Sequence, residues 1–171
     1  MSSTKYYFIF GIAAGLVSVV LEYLLFSGYL GYDKSFGVIL GKFCGLLISM
    51  IFAIIVIKKM NGRISFLRTT FTGIILALIC SSVSAIGFLY MQNSNPAFFE
   101  EAKIYHLQEW KDHYADQPDE LKKEAEISSQ IDQKFTLKFH TIFDLGGFMV
   151  FGVLFSTLLA AFFADRTSLS G

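Results

Sequence analysis

The chain has 171 residues, of which 54% are hydrophobic and 16% charged, and its formal net charge is zero. Soluble domains usually carry about 25% charged residues, so the composition points away from that class. With no basic excess, it also points away from a nucleic-acid partner. Cys44 and Cys80 both lie inside apolar runs, without metal-ligand or redox spacing, and are expected as buried packing residues.

The apolar residues fall into four runs, about 6–30, 36–57, 66–91 and 142–164. A membrane-spanning helix needs roughly 20 mostly apolar residues, and each run meets that length. The first run is too long for the apolar stretch of a signal peptide, and no small-residue cleavage motif follows it. The expected fold is therefore all-α: an integral membrane four-helix bundle forming one domain over 1–171. An extracytoplasmic helical hairpin is inserted between spans three and four, over 93–141.

In the first run, Gly11 and Gly15 stand four residues apart. In the second, Gly37, Gly41, Gly45, Ser49 and Ala53 continue that spacing along one face. Small residues let helix backbones approach closely in lipid, where no hydrophobic drive joins them. The stripe predicts packing within the chain, with a homo-oligomer through span two as the alternative. Three ionisable residues also fall inside the runs: Glu22, Lys42 and Asp144. At about 1.5 Å per residue all three sit in the same third of the membrane. Charges at that depth usually pair or serve a function. Lys42 is expected to meet Glu22, Asp144 or both, either as an ion pair that sets helix register or as a polar site for a small ligand.

Lys58, Lys59, Arg63 and Arg68 lie between spans two and three with no acidic residue among them. Short loops rich in Lys and Arg stay cytoplasmic. Lys5 and Arg166 fit the same side, whereas the loop with Asp33 and Lys34 fits the other. The expected localisation is the bacterial inner membrane, with both termini cytoplasmic. Tyr6, Tyr7, Tyr29, Tyr32 and Tyr90 suit the interfacial aromatic belt.

Within the same loop, Asn61-Gly62 is a turn pair and Ser65 an N-cap candidate for span three. The stretch Asn61-Gly62-Arg63-Ile64-Ser65-Phe66, followed by Phe71 and Gly73, resembles the cytoplasmic hairpin of a family of small four-span membrane proteins from Bacteroidota, catalogued only as a domain of unknown function. The layout of that family, including an acidic helical segment between spans three and four, matches nearly the whole chain. Leu67-Arg68-Thr69-Thr70 departs from the family pattern. The resemblance implies a topology and brings no activity.

The segment 93–141 carries ten acidic and six basic residues. Asn95-Pro96 reads as a helix start, followed by Glu100 and Glu101. Ile104, Leu107, Trp110 and Tyr114 share one face of that helix. Asp116-Gln117-Pro118 breaks it. From Leu121, the positions Ala125, Ile131, Phe135, Phe139 and Ile142 keep helical spacing into span four, which predicts one continuous helix of about 70 Å from Pro118 to Ala164. His106, Glu109 and His113 are close on the first helix, but such a set is common on a solvated face, and no metal or other cofactor is expected. His140 would join a site only if the fold brought it close.

No nucleophile elbow, zinc-protease motif, phosphate loop or dinucleotide fingerprint is present. Ser81, Ser82 and Ser84 have no His or acid nearby in sequence, so no catalytic residue is assigned and an enzyme is not expected. The leading expectation is a non-enzymatic accessory or interaction factor that contacts a protein partner through residues 96–140. The alternative is a small oligomeric transporter or channel component built on Glu22, Lys42 and Asp144.

Overall fold

A computed structural model describes residues 4–26, 35–116 and 123–165. Leu30, Asp33, Lys34, Pro118, Leu121 and Arg166, with Tyr29 and Tyr32, lie outside the described residues.

Six α-helices are described: α1 (Thr4–Phe26), α2 (Ser35–Asn61), α3 (Phe66–Ser94), α4 (Pro96–His113), α5 (Glu124–Lys134) and α6 (Leu137–Phe163). Helices α1, α2, α3 and α6 are long and apolar enough to cross a membrane. Their surfaces carry exposed Phe8, Leu16, Phe52, Ile86, Leu158 and Phe162, a pattern that suits lipid and not water. The chain is therefore a multi-pass membrane protein in which these four helices contact lipid.

Local chemistry explains the helix boundaries. Gly62 alone among the described residues has a positive φ, +72°, and turns the chain after α2. Ser65 then caps α3 as expected, its side chain accepting from Arg68 N at 3.2 Å. Asn95 both ends α3 and caps α4, with Pro96 in the first turn. Buried Thr69 and Thr72 donate their hydroxyls to Ser65 O and Arg68 O, one turn back.

The expected continuous stalk is not observed. Helix α5 ends at Lys134, and Thr136 starts α6 as an N-cap, its hydroxyl oxygen accepting from Phe139 N at 3.2 Å. The break turns Phe135 inward, where it packs with Phe88, Phe99 and Ile131. Helices α4 and α5 run antiparallel, joined by Lys103–Asp132 (3.2 Å) and Lys111–Glu124 (2.7 Å). Their apolar faces rest on Phe88 and Met91 at the end of α3, so the pair caps one end of the bundle. The inward face of α4 is Phe99, Ala102 and His106, whereas Ile104 from the expected stripe is exposed.

Close approach between spans depends on small residues. A Cβ at Gly11 would stand 2.7 Å from Ile79, and one at Gly15 would collide with Val83, so α1 lies against α3. Gly41 and Gly45 face Leu21 and Val17 of α1, while Gly37 meets nothing within 4 Å. Ser49 and Ala53 are buried. The tightest crossing, α3 on α6, uses Gly73 against Ser156 and Gly152 against Ala77. At the uncapped end, Asp165 ties α6 to the α2–α3 turn: its carboxylate accepts from Ile64 N at 2.9 Å and pairs with Lys58 at 3.1 Å. Cys80 is buried as expected, but Cys44 is exposed on the outside of α2.

Candidate functional site

Below the cap, four spans contribute polar side chains to one buried cluster. Glu22 is 3% exposed, Lys42 7%, Asp144 4% and His140 8%. Glu22 lies about 6 Å from the end of α1, and Lys42 and Asp144 about 10 Å from the starts of α2 and α6, which places the three at similar depth.

Lys42 sits between the carboxylates. Its ammonium donates to Glu22 Oε1 and, at 2.7 Å, to Asp144 Oδ1. It also stands 5.6 Å from the centre of the Phe148 ring, a cation–π contact. Lys42 is thus held in the bundle interior and does not snorkel along α2 to the interface. Asp144 Oδ2 accepts from the Ser84 hydroxyl, and Ser84 shares a 3.1 Å hydrogen bond with Ser18. The chain Ser18–Ser84–Asp144–Lys42–Glu22 therefore links α1, α3, α6 and α2.

His140 completes the cluster from one turn above Asp144. Its Nε2 is 3.2 Å from Asp144 Oδ2 and 3.5 Å from Glu22 Oε2. Phe88 stacks on the imidazole with centroids 4.1 Å apart and planes 13° from parallel. Phe99 of α4 meets the Phe88 ring edge-on at 5.2 Å, so the roof of the cluster is aromatic and continuous with the cap. Among the described residues, Glu22, His140 and Asp144 form the one group of His, Cys, Asp and Glu side chains whose donor atoms, within 4.8 Å of one another, could share an ion. His106, Glu109 and His113 do not form such a group: His106 turns inward toward Phe135, while His113 is exposed. Burial at that inward position pushes the His106 imidazole down to about 4, with Lys134 adding to the effect.

The three charges singled out in the sequence thus meet. His140, Ser18 and Ser84 were not assigned to the cluster beforehand. A signal for two of them exists: Ser18 precedes Glu22, and His140 precedes Asp144, by four residues, the spacing that puts helix neighbours on one face. Ser81 and Ser84 are buried, whereas Ser82 donates to Leu78 O on the exposed side of α3.

The chain belongs to the family described as Protein of unknown function (DUF4199), whose model matches residues 9–165. That match spans all four membrane helices and the cap. No curated protein and no solved structure matches the chain.

Proposed function

We propose that the chain is a non-enzymatic membrane protein whose working part is the cluster around Glu22, Lys42 and Asp144. In this reading it is a small-cation site in a transporter or channel component. The observation that carries the proposal is a charge imbalance, present while His140, 3.2 and 3.5 Å from the two carboxylates, is neutral. Two carboxylates face one fixed ammonium, and all three are more than nine-tenths buried. A pair that only held two helices in register would need one charge of each sign. An excess negative charge in a medium that solvates ions poorly attracts a cation.

The cap supports the same reading. Helices α4 and α5 close the bundle directly above His140 through Phe88 and Phe99, so their displacement would open the cluster. Four helices leave little room for a path of their own, which favours work as a homo-oligomer. Ser84 donates to a carboxylate and not to an imidazole, unlike an activated serine nucleophile. The Lys and Arg residues of the α2–α3 turn favour placing that end in the cytoplasm of a bacterial inner membrane, with the cap outside.

Proteoliposome flux tests the proposal. Cation entry with the wild-type chain should exceed both empty liposomes and Asp144→Asn. Equal rates for all three would overturn it. The accessory-factor reading keeps one specific observation: Ile104 and Tyr105 are 68% and 48% exposed on the outward face of α4. A defined partner bound through residues 96–140 and lost with Ile104→Ser would favour it, and no partner would count against it.

A further inference from the structure

The two carboxylates of the cluster are each divided between two jobs. Lys42 holds Glu22 Oε1 and Asp144 Oδ1. The other oxygens, Glu22 Oε2 and Asp144 Oδ2, face His140 Nε2 on the side toward the cap. Glu22 Oε2 is buried and makes no hydrogen bond, and the equally buried His140 Nε2 has the two carboxylate oxygens as its neighbours. In a protein interior, a polar atom without a partner normally costs stability. Here such an atom, Glu22 Oε2 on a residue 3% exposed, points at the same space as His140 Nε2, on a residue 8% exposed.

We infer that Glu22 Oε2, Asp144 Oδ2 and His140 Nε2 form a three-ligand site for a divalent transition metal of the Zn²⁺ type. The inference rests on the small-cation reading above and names the cation.

The distances fit. Metal–ligand bonds of 2.0–2.1 Å in a tetrahedron put neighbouring ligand atoms about 3.3 Å apart. His140 Nε2 is 3.2 Å from one carboxylate oxygen and 3.5 Å from the other, and the three atoms lie within 4.8 Å of one another, so a metal fits among them once the two carboxylates draw together. The donor set selects the ion class. One imidazole with two carboxylates suits Zn²⁺, Mn²⁺ or Fe²⁺, whereas Mg²⁺ prefers oxygen ligands alone and keeps its waters.

The surroundings hold these ligands in place. The Lys42 ammonium fixes the far oxygen of each carboxylate, the Ser84 hydroxyl donates to Asp144 Oδ2, and Phe88 sets the plane of the imidazole. Such outer contacts orient first ligands in metal sites. Lys42 also repels a dication beside it, which weakens binding. Three protein ligands leave a fourth position open. Both features suit an ion that exchanges, as a transported ion must, more than one held as a permanent staple.

Zn²⁺ binding to the untagged full-length chain in detergent tests the site, read by calorimetry and by metal content after dialysis. One Zn²⁺ per wild-type chain is expected, at least tenfold weaker binding for His140→Gln and Asp144→Asn, unchanged binding for His113→Ala, and no competition from Mg²⁺. Co²⁺ bound to the wild type should show the visible bands of a tetrahedral site. Should His140→Gln fail to fold, the Co²⁺ spectrum and the Mg²⁺ competition decide alone. No Zn²⁺ above the detergent blank, octahedral Co²⁺, or His140→Gln binding as tightly as wild type would each overturn the site. Binding without flux would retain the site and remove the transport reading. Flux of a monovalent cation without Zn²⁺ binding would do the reverse.

Discussion

Replacing Lys42 with Met tests the electrostatics of the bundle directly. Methionine keeps much of the lysine stem and its packing near Phe148, but removes the charge that Glu22 and Asp144 share. At an effective dielectric of 20, the 2.7 Å contact to Asp144 alone is worth about 6 kcal/mol of gross Coulomb attraction. Desolvation of three ions offsets most of the total, so the intact cluster has a small net value. The substitution is different, because it leaves two buried carboxylates without the ammonium they share. Breaking a buried pair in this way costs about 3–5 kcal/mol. At roughly 2–4 °C per kcal/mol for a chain of this size, Tm should fall by about 10 °C. A thiol-reactive dye gives the readout: with Cys44→Ser as background, buried Cys80 reports unfolding by becoming reactive. A charge-free version, Glu22→Gln with Lys42→Met and Asp144→Asn, should recover most of the loss. A folded Lys42→Met chain with Tm within 2 °C of its background, by the dye and by circular dichroism, would refute the reasoning.

Three further outcomes follow from other parts of the fold. Gly152→Ala places a methyl 2.7 Å from Ala77 and should cost about 1–3 kcal/mol in thermal unfolding, whereas Gly37→Ala meets nothing within 4 Å and should be neutral or mildly stabilising. Thr136→Ala removes the cap of α6 and should cost about 1 kcal/mol by the same measurement, with faster hydrogen exchange at Phe139. The third concerns pH. His106 titrates near 6.5 when unfolded and near 4 when folded, so the native chain refuses a proton that the unfolded chain accepts. Its contribution is complete above pH 6.5 and is lost as pH falls toward 4. The ceiling is about 3 kcal/mol, or about half that once solvent screening is allowed for. The loss of Tm between pH 7 and pH 4.5 should therefore be smaller in His106→Leu than in wild type, and parallel pH profiles would rule this out.

Much of the fold was legible because lipid imposes simple demands. Length and apolarity mark the spans, and Asn61-Gly62, Ser65 and Asn95-Pro96 mark three boundaries by their own chemistry. The continuous stalk was misread because Phe135 and Phe139 keep helical spacing through the break. What ends α5 is the gain from burying Phe135 beneath α4, which periodicity along one helix does not reveal. The inward face of α4 was misread in part, for a similar reason. Counting apolar residues favours Ile104, Leu107, Trp110 and Tyr114; Leu107 does pack on the cluster, but the tight turn at Asn95-Pro96 presents Phe99 and Ala102 to Phe88 and Met91 and leaves Ile104 exposed. Gly73 and Gly152 make the closest crossing without forming a stripe, so their role depends on which helix lies opposite.

The cluster shows where a membrane sequence is most informative. Glu22 and Lys42 are 20 residues apart and Lys42 and Asp144 are 102 apart, yet the cost of isolated charge in lipid was enough to bring them together on paper. Neutral partners carry no such cost and stay hidden: Ser84 lies 60 residues from Asp144, with nothing in its own sequence to mark it. His140 is the instructive intermediate. It stands one turn before Asp144, near the end of a span, where an imidazole can be read either as interfacial or as part of the interior. The stacked Phe88 and the cap above it place His140 in the interior. The cap therefore turns an exposed interfacial histidine into a buried ligand candidate, and α4 and α5 matter to the cluster through burial even though none of their described residues supplies a polar atom to it.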